Sequence, residues 1–448
     1  MLSPDQAKRI AESLVERGIA AGASTADALY VGERSSGVQV RLGEIDSLGS
    51  SEGEEIGLRL FVGQRSATAA SSDLSDDALG VLVERCLAMA REAPEDPFAG
   101  LAPSGLLQRG ELPALDSNDT ADPTTAELRA RALEAEAAAL GVEGVTNSSG
   151  AGASASSSII ALATSAGFSG AYATSGHSCS AVVVAGEGAS MQRDHASHSV
   201  RHLEDLDPAP EIGRLAGERT VKRLNPSRPK PGKYPVLFDP RVALTLLGHF
   251  SGAISGAAIA RRTSFLQDKL GARVFAPGVT IVDDPLRLRG LRSRPFDGEG
   301  VRVAGRELVS RGILNQWIAE SAPARQLGIE PTGHASRGVS GAPSASPSNL
   351  YFESGARTRE ELLAAFPEAV LIVELIGQGA NPVTGDYSRG AVGFMVRGGE
   401  IAEPVAEITI ASNLIEMFAA LEPASDLEFR RGIDSPTILI PEMTVASA

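Results

Sequence analysis

Apolar positions recur at helical spacing from the start of the chain. Ala7, Ile10, Ala11, Leu14 and Val15 share one face of a segment that Ser3 can cap and Pro4 can open, predicting a helix to about Gly18. The pattern then changes to period two. ADALYVGER, GVQVRLGEI, EIGLRLFVG and QRSATAAS cluster or alternate β-formers between Gly, Ser and charged turns, and GLRLFVGQRSATA predicts a hairpin turning at Val62 to Gln64. Helical spacing returns from Ser75 to Arg91, behind the acids Asp76 and Asp77, and again from Thr124 through ELRARALEAEAAAL.

From Gly144 to Ser158 small and polar residues dominate, which reads either as a flexible linker or as a β-hairpin of small side chains. SIIALATSAGFSGAYATS and SCSAVVVAGEG follow as strands, and Asp207-Pro208 opens a helix ending near Leu224. NPSRPKPGKYP (225–235), with its prolines 226, 229, 231 and 235, is the best domain boundary in the chain. The second half starts with the strand YPVLFD. A helix follows, capped by Asp239 and opened by Pro240, through RVALTLLGHFSGAISGAAIA. VRVAGRELVSRGIL is hairpin-like, and HASRGVSGAPSASPSN (334–349) reads as a second flexible segment. RTREELLAAF is a short helix before the strand AVLIVELIG, and AVGFMVRGGEIAEPVAEITIA is a hairpin turning at Gly398-Gly399. NLIEMFAALE is a last helix and TILIPEMTV a last strand. Helices and strands mix without strict alternation. The expected class is therefore α+β in two domains, an N-terminal mixed domain over 1–224 and a strand-rich C-terminal domain over 234–448.

Composition narrows the function. At 448 residues, 43% hydrophobic and 22% charged, the chain reads as a globular protein. No apolar run approaches the ~20 residues of a membrane span. MLSPDQAKRIAESLVERG lacks the basic head and apolar core of a signal peptide, so the cytoplasm is the expected location. A formal charge of −15 disfavours general nucleic-acid binding, and 4% aromatic content offers few stacking platforms for bases. Arg287, Arg289, Arg292 and Arg294 form a local basic cluster, read as a solvated loop balancing nearby acids. Cys86 and Cys179 stand far apart, in no metal or redox spacing.

No complete catalytic motif is present. The six histidines form no H-E-x-x-H pair. His195, His198 and His202 would share a face on a helix but not on a strand, and exposed polar side chains are the preferred reading. GFSGA and GHSCS lack the second glycine of a nucleophile elbow. Asp283/Asp284 and Asp297/Glu299 read as turn acids that bond nearby amides.

Several stretches nevertheless resemble the TldD/PmbA family of metallopeptidase-related proteins, known also as modulators of DNA gyrase. They are EEIGLRLFVGQRSATAASSDLS (54–75), GFSGAYATSGHSCSA (167–181), MQRD (191–194), 225–271, RPFDGEG (294–300), ARQLGIEPTGHASRG (324–338), ELIGQGANPVTGDYSRGAVGF (374–394) and EITIASNL (407–414). They run in the family's order over essentially the whole chain. In the TldD branch the resemblance implies H-E-x-x-x-H on the helix equivalent to 240–260, and a zinc-binding cysteine near the carboxyl terminus. Here that helix carries only His249, and FRRGIDSPTILIPEM has no cysteine, so the chain resembles the TldE (PmbA) branch.

The resemblance then implies a non-catalytic subunit that binds no metal itself. A TldD-like partner would carry zinc, and unfolded peptides would be degraded or processed, with a homodimer possible when the partner is absent. A self-sufficient peptidase with an atypical site and a non-enzymatic gyrase-modulating protein are the alternatives. Gly248, Gly252 and Gly256, at i, i+4 and i+8, suggest either the wall of a shared chamber or close packing within the domain. GQGANPVTGDYSRG is expected to line the peptide channel or partner interface through Gly377, Gln378, Gly379, Asp386, Tyr387 and Arg389. The competing reading of the same stretch is a loop tied by an Asp–Arg pair.

Overall fold

The computed structural model describes residues 1–447. Its N-terminal half is built on one antiparallel sheet ordered β3-β2-β1-β4-β5-β6. Helix α1 (Pro4–Ala20) leads in with a capping box between Ser3 and Gln6, followed by β1 (Thr25–Arg41), β2 (Glu44–Val62), β3 (Arg65–Ser71) and α2 (Asp76–Glu92), capped by Ser75. Then come α3 (Thr125–Leu140), β4 (Val145–Thr164), β5 (Phe168–Ala185), β6 (Gln192–Val200) and α4 (Ala209–Val221). The small-residue stretch 144–158 is thus strand, and its alanines explain why. Ala151, Ala153 and Ala155 lie beneath Leu128, Ala132 and Ala135 of α3, where bulkier side chains would hold the helix away.

Strand alternation sorts the sheet's two faces. Ala26, Ala28, Tyr30, Ile56, Leu58 and Leu60 pack under α1 and α2. Leu29, Leu162 and Phe168 point the other way and meet Phe296, Val301 and Val339 of the second half. The sheet is therefore sandwiched between its helices and the C-terminal half.

That half begins with β7 (Gly232–Phe238), α5 (Pro240–Ala253) and α6 (Gly256–Ala260). The single helix expected over 240–260 is interrupted. Ser255 sits in extended backbone and caps α6 by accepting from the Ala258 amide, so a new helix starts where the old one ends. Next come β8 (Ile281–Asp283), β9 (Arg306–Ser310), β10 (Ile313–Leu314), α7 (Ser321–Leu327), β11 (Ala335–Ser336), β12 (Ser344–Ala345) and β13 (Leu350–Phe352). They are followed by α8 (Arg359–Leu363), β14 (Glu368–Ile376), β15 (Asp386–Arg397), β16 (Glu400–Asn413), α9 (Leu414–Ala420), β17 (Glu422–Pro423), β18 (Ile433–Asp434) and β19 (Ile438–Ser447).

Strands β16, β15, β14, β7 and β19 pair in that order, and β16 also pairs with β19, which closes a barrel. Its inward residues, among them Val236, Ile372, Met395, Ile410 and Ile440, share one core with the apolar side of α5. The fold is α+β, with a strand-rich C-terminal half. Among the described residues no helix is long and apolar enough to cross a membrane.

Segment 334–349, expected to be flexible, is packed. It forms the β11–β12 pair, His334 is buried beside Asp283 at 3.3 Å, and Val339 enters the cluster between the halves. Its Gly, Ser and Ala content allows close approach, and long-range contacts hold it in place.

Candidate functional site

Helix α5 is amphipathic in an unusual way. Val242, Leu246, Leu247, Phe250 and Ala253 bury one side, whereas Gly248 and Gly252 face open space, where among the described residues no atom beyond their own helix backbone and chain neighbours lies within 4 Å of a would-be Cβ. Gly256, now in α6, does pack, closely against Ala319 and Pro323. The reading of all three glycines as an internal packing strip therefore fails at 248 and 252, because no other element among the described residues approaches them.

His249 lies between these two sides. Its ring meets Tyr387 edge-on, with centroids 5.9 Å apart and planes at 84°, and its buried Nε2 has no hydrogen-bond partner among the described residues. Tyr387 and Arg389 are two apart on β15 and so share a face of that strand. Tyr387 is 1% exposed and its hydroxyl has no hydrogen-bond partner among the described residues. Burial pushes the phenol up to about 12. The nearby Arg389 guanidinium opposes that shift, although the two groups do not reach hydrogen-bond geometry. Arg389 is half-buried, its Nε is unpartnered, and among the described residues no carboxylate forms an ion pair with it. Burial first, and then the charge of Arg389, lower the pKa of His249, which keeps the imidazole neutral.

The adjoining loop is ordered by its own hydrogen bonds. The Val383 and Thr384 amides donate to Asn381 Oδ1, and the Asn381 amide donates to the Asp386 carbonyl. Gly379 packs so tightly on the Ser388 carbonyl that any Cβ would collide with it, whereas Gly377 adopts φ +76° in open space. Gln378 is exposed. Asp386 accepts from Thr384 Oγ1 at 2.6 Å and from Asn413 Nδ2 at 3.2 Å, not from Arg389. The alternative of a loop tied by an Asp–Arg pair is thereby corrected. Ile376, Val383 and Ile415 are exposed around this rim, and the Leu414 amide ties α9 to the loop through the Gly385 carbonyl.

The other sequence candidates are structural. Residues 195 and 198 lie on strand β6, not on a helix, and His202 lies beyond it. Only His195 is exposed. His198 accepts from the Asp207 amide and His202 bonds the Asp116 carbonyl, so the reading of all three as solvated is corrected. Asp284 and Asp297 bond nearby amides as expected, but Asp283 reaches Ser348 and Glu299 reaches Ser321. Arg289 pairs with Asp116, Glu204 and Asp205. Arg287 instead stacks on Phe429, while Arg292 and Arg294 donate to carbonyls of 335–347.

Two buried ion networks escaped the sequence reading. Asp27, 1% exposed, accepts from Arg59 at 2.5 and 3.0 Å and from Arg337 at 2.6 Å, joining the two halves. Asp194 holds Arg223 at 3.4 Å and Arg241 at 3.1 Å, and Arg241 also pairs with Asp239. A lone charge inside an apolar alternation, as in GLRLF and ADALY, was the available signal.

Comparison with known proteins gives consistent matches. Residues 26–90, 118–224 and 231–447 match domain 1, the central domain and the C-terminal domain of the PmbA/TldA metallopeptidases. The chain is 35% identical to metalloprotease PmbA of Escherichia coli O157:H7 over 98% of its own length and 96% of the relative's. It is 36% identical to a metalloprotease PmbA homolog of Haemophilus influenzae, covering 91% and 89%. In fold it matches TldE from Thermococcus kodakarensis, with a TM-score of 0.86, 20% identity and coverage of 98% and 100%. A Bacteroides thetaiotaomicron protein solved as a candidate DNA gyrase modulator gives 0.91, with 24% identity over all of both chains.

Proposed function

The chain belongs to the PmbA/TldD metallopeptidase family, and from that premise we propose that it is the non-metal-binding subunit of a two-chain zinc peptidase. It completes a peptide-binding chamber, while a TldD-like partner supplies the zinc and the carboxylate that activates water. The observation that carries this reading is the neighbourhood of His249. A catalytic zinc wants three anionic or imidazole donors. The groups beside His249 are a phenol and a guanidinium, and the positive charge of Arg389 repels a divalent ion. The residues present do not fit zinc.

What this chain contributes is surface. The open Gly248 and Gly252 positions of α5 suit close approach of an extended backbone, and the exposed Ile376, Val383 and Ile415 suit coverage by a partner. The substrates are unfolded peptides, the setting is the cytoplasm, and the chain can pair with itself when the partner is missing.

Mixing the chain with a TldD-like protein and an unstructured peptide tests the proposal. Cleavage is expected from the pair and not from this chain alone, with zinc recovered in the partner. Stoichiometric zinc and peptidase activity in this chain alone, both lost in His249→Ala, would overturn it.

A further inference from the structure

We propose that Arg389, backed by the Tyr387 hydroxyl and His249, is a seat for the free α-carboxylate of a bound peptide, so that this subunit reads the substrate's carboxyl end. The inference rests on the peptide-chamber reading of the same site and adds to it a substrate class.

The first ground is an uncompensated charge. The chain carries 56 acidic residues against 41 Lys and Arg, so carboxylates are not scarce. Yet among the described residues none pairs with Arg389, although the side chain is half-buried and its Nε is shut off from water. A cation held that way costs stability unless an anion arrives from outside.

The second ground is the company it keeps. The Tyr387 hydroxyl, on a residue 1% exposed, and the buried Nε2 of His249 both lack partners. An unsatisfied buried polar group is rare enough to need a cause, and here three gather in one patch. The terminal nitrogens of Arg389 are not shut off with its Nε, and one fixed positive charge with a neutral phenol and imidazole buried behind it matches a monoanion. A phosphate dianion would leave a charge uncompensated. The open ground at Gly248 and Gly252 gives the rest of a peptide room to lie along α5.

Peptides of identical sequence, free of Asp and Glu, labelled at the amino end and ending either in a free acid or an amide, test the seat. Fluorescence anisotropy on this chain alone and steady-state cleavage by the assembled pair are the two readouts. The free acid is expected to bind about ten- to a hundredfold more tightly, as charge-assisted hydrogen bonds imply, with the gain in KM and not in kcat. R389Q removes the gap, the free acid losing its advantage over the amide peptide. R389K keeps part of it, because an ammonium restores the charge without the planar fork. Tyr387→Phe narrows it, which reads the same seat should the arginine variants fold poorly.

Equal binding of acid and amide overturns the proposal, as does a gap that survives R389Q. So does an amide peptide with an internal glutamate that binds as well as the free acid, or inorganic phosphate that competes equally with both peptides. A pair that cleaves both peptides alike sinks the seat and keeps the peptidase reading. A pair that cleaves neither sinks the peptidase reading, and anisotropy on this chain then decides the seat.

Discussion

Replacing Asp27 by Asn tests how the two halves are held together. Asp27 and Arg59 are direct cross-strand partners in the β1–β2 register, and Arg337 arrives from the C-terminal half. The three side chains are all at least nine-tenths buried, and among the described residues the only other carboxylate paired with Arg59 is Glu299, at 3.8 Å. Asparagine preserves the shape but removes the charge, leaving two adjacent guanidiniums with one distant counterion. Breaking a buried pair from one side costs about 3–5 kcal/mol. Urea unfolding should therefore show a midpoint lowered by that amount divided by an unchanged m value. Limited proteolysis should open segment 334–349, which loses its anchor at Arg337.

The pH dependence of the same variant has a definite sign. Burial alone would raise the Asp27 pKa, but Arg337 and Arg59 outweigh it and hold the carboxyl below its ordinary value. A depressed folded value gives stability that is complete above the unfolded pKa of about 3.9 and is lost as pH falls through the folded one. The gap between wild type and variant should thus close in acid. A variant within about 1 kcal/mol of wild type at neutral pH would refute the reasoning, since that is the range of an exposed pair. Replacing all three residues by apolar ones of similar volume should recover much of the loss.

Other perturbations probe the same geometry. Gly57→Ala would drive a Cβ into the Val339 carbonyl across the junction, and thermal unfolding should register a loss of about 1–3 kcal/mol or more. Gly252→Ala should stabilise the isolated chain by about 0.5–1 kcal/mol, because the methyl group meets nothing and the helix gains. Gly252→Trp should leave folding intact by circular dichroism yet abolish peptide cleavage by the pair. R389Q should raise the pKa of His249 in an NMR titration, since one of the two influences lowering it is gone, and an unchanged imidazole would separate the two residues.

Local rules made much of the fold legible. Ser3, Ser75 and Thr124 cap helices where side-chain chemistry says they should, and the β2–β3 and β15–β16 turns fall at the expected glycines. What local rules could not supply is whatever depends on partners far away in sequence. Segment 334–349 has a linker's composition, yet Asp27 and Asp283, hundreds and tens of residues distant, fix its arginine and histidine. The break between α5 and α6 carries no proline, only a serine that caps as readily as it continues, so an apolar periodicity running through it misleads.

The site shows the same division from the other side. His249 was visible as the one imidazole on its helix, and Tyr387 and Arg389 as polar residues beyond a glycine-rich loop. Nothing in their spacing says that residues 138 apart come together, because that contact is made by α5 packing into the core it shares with the barrel strands, not by either segment alone. The unpaired state of Arg389 is less visible still. Asp386 stands three residues away, the natural partner by sequence, but extended backbone turns residues 386 and 389 to opposite faces and gives the aspartate to Thr384 and Asn413. Strand geometry therefore separates an acid and a base that a helix would have paired, and among the described residues leaves the guanidinium without a carboxylate partner.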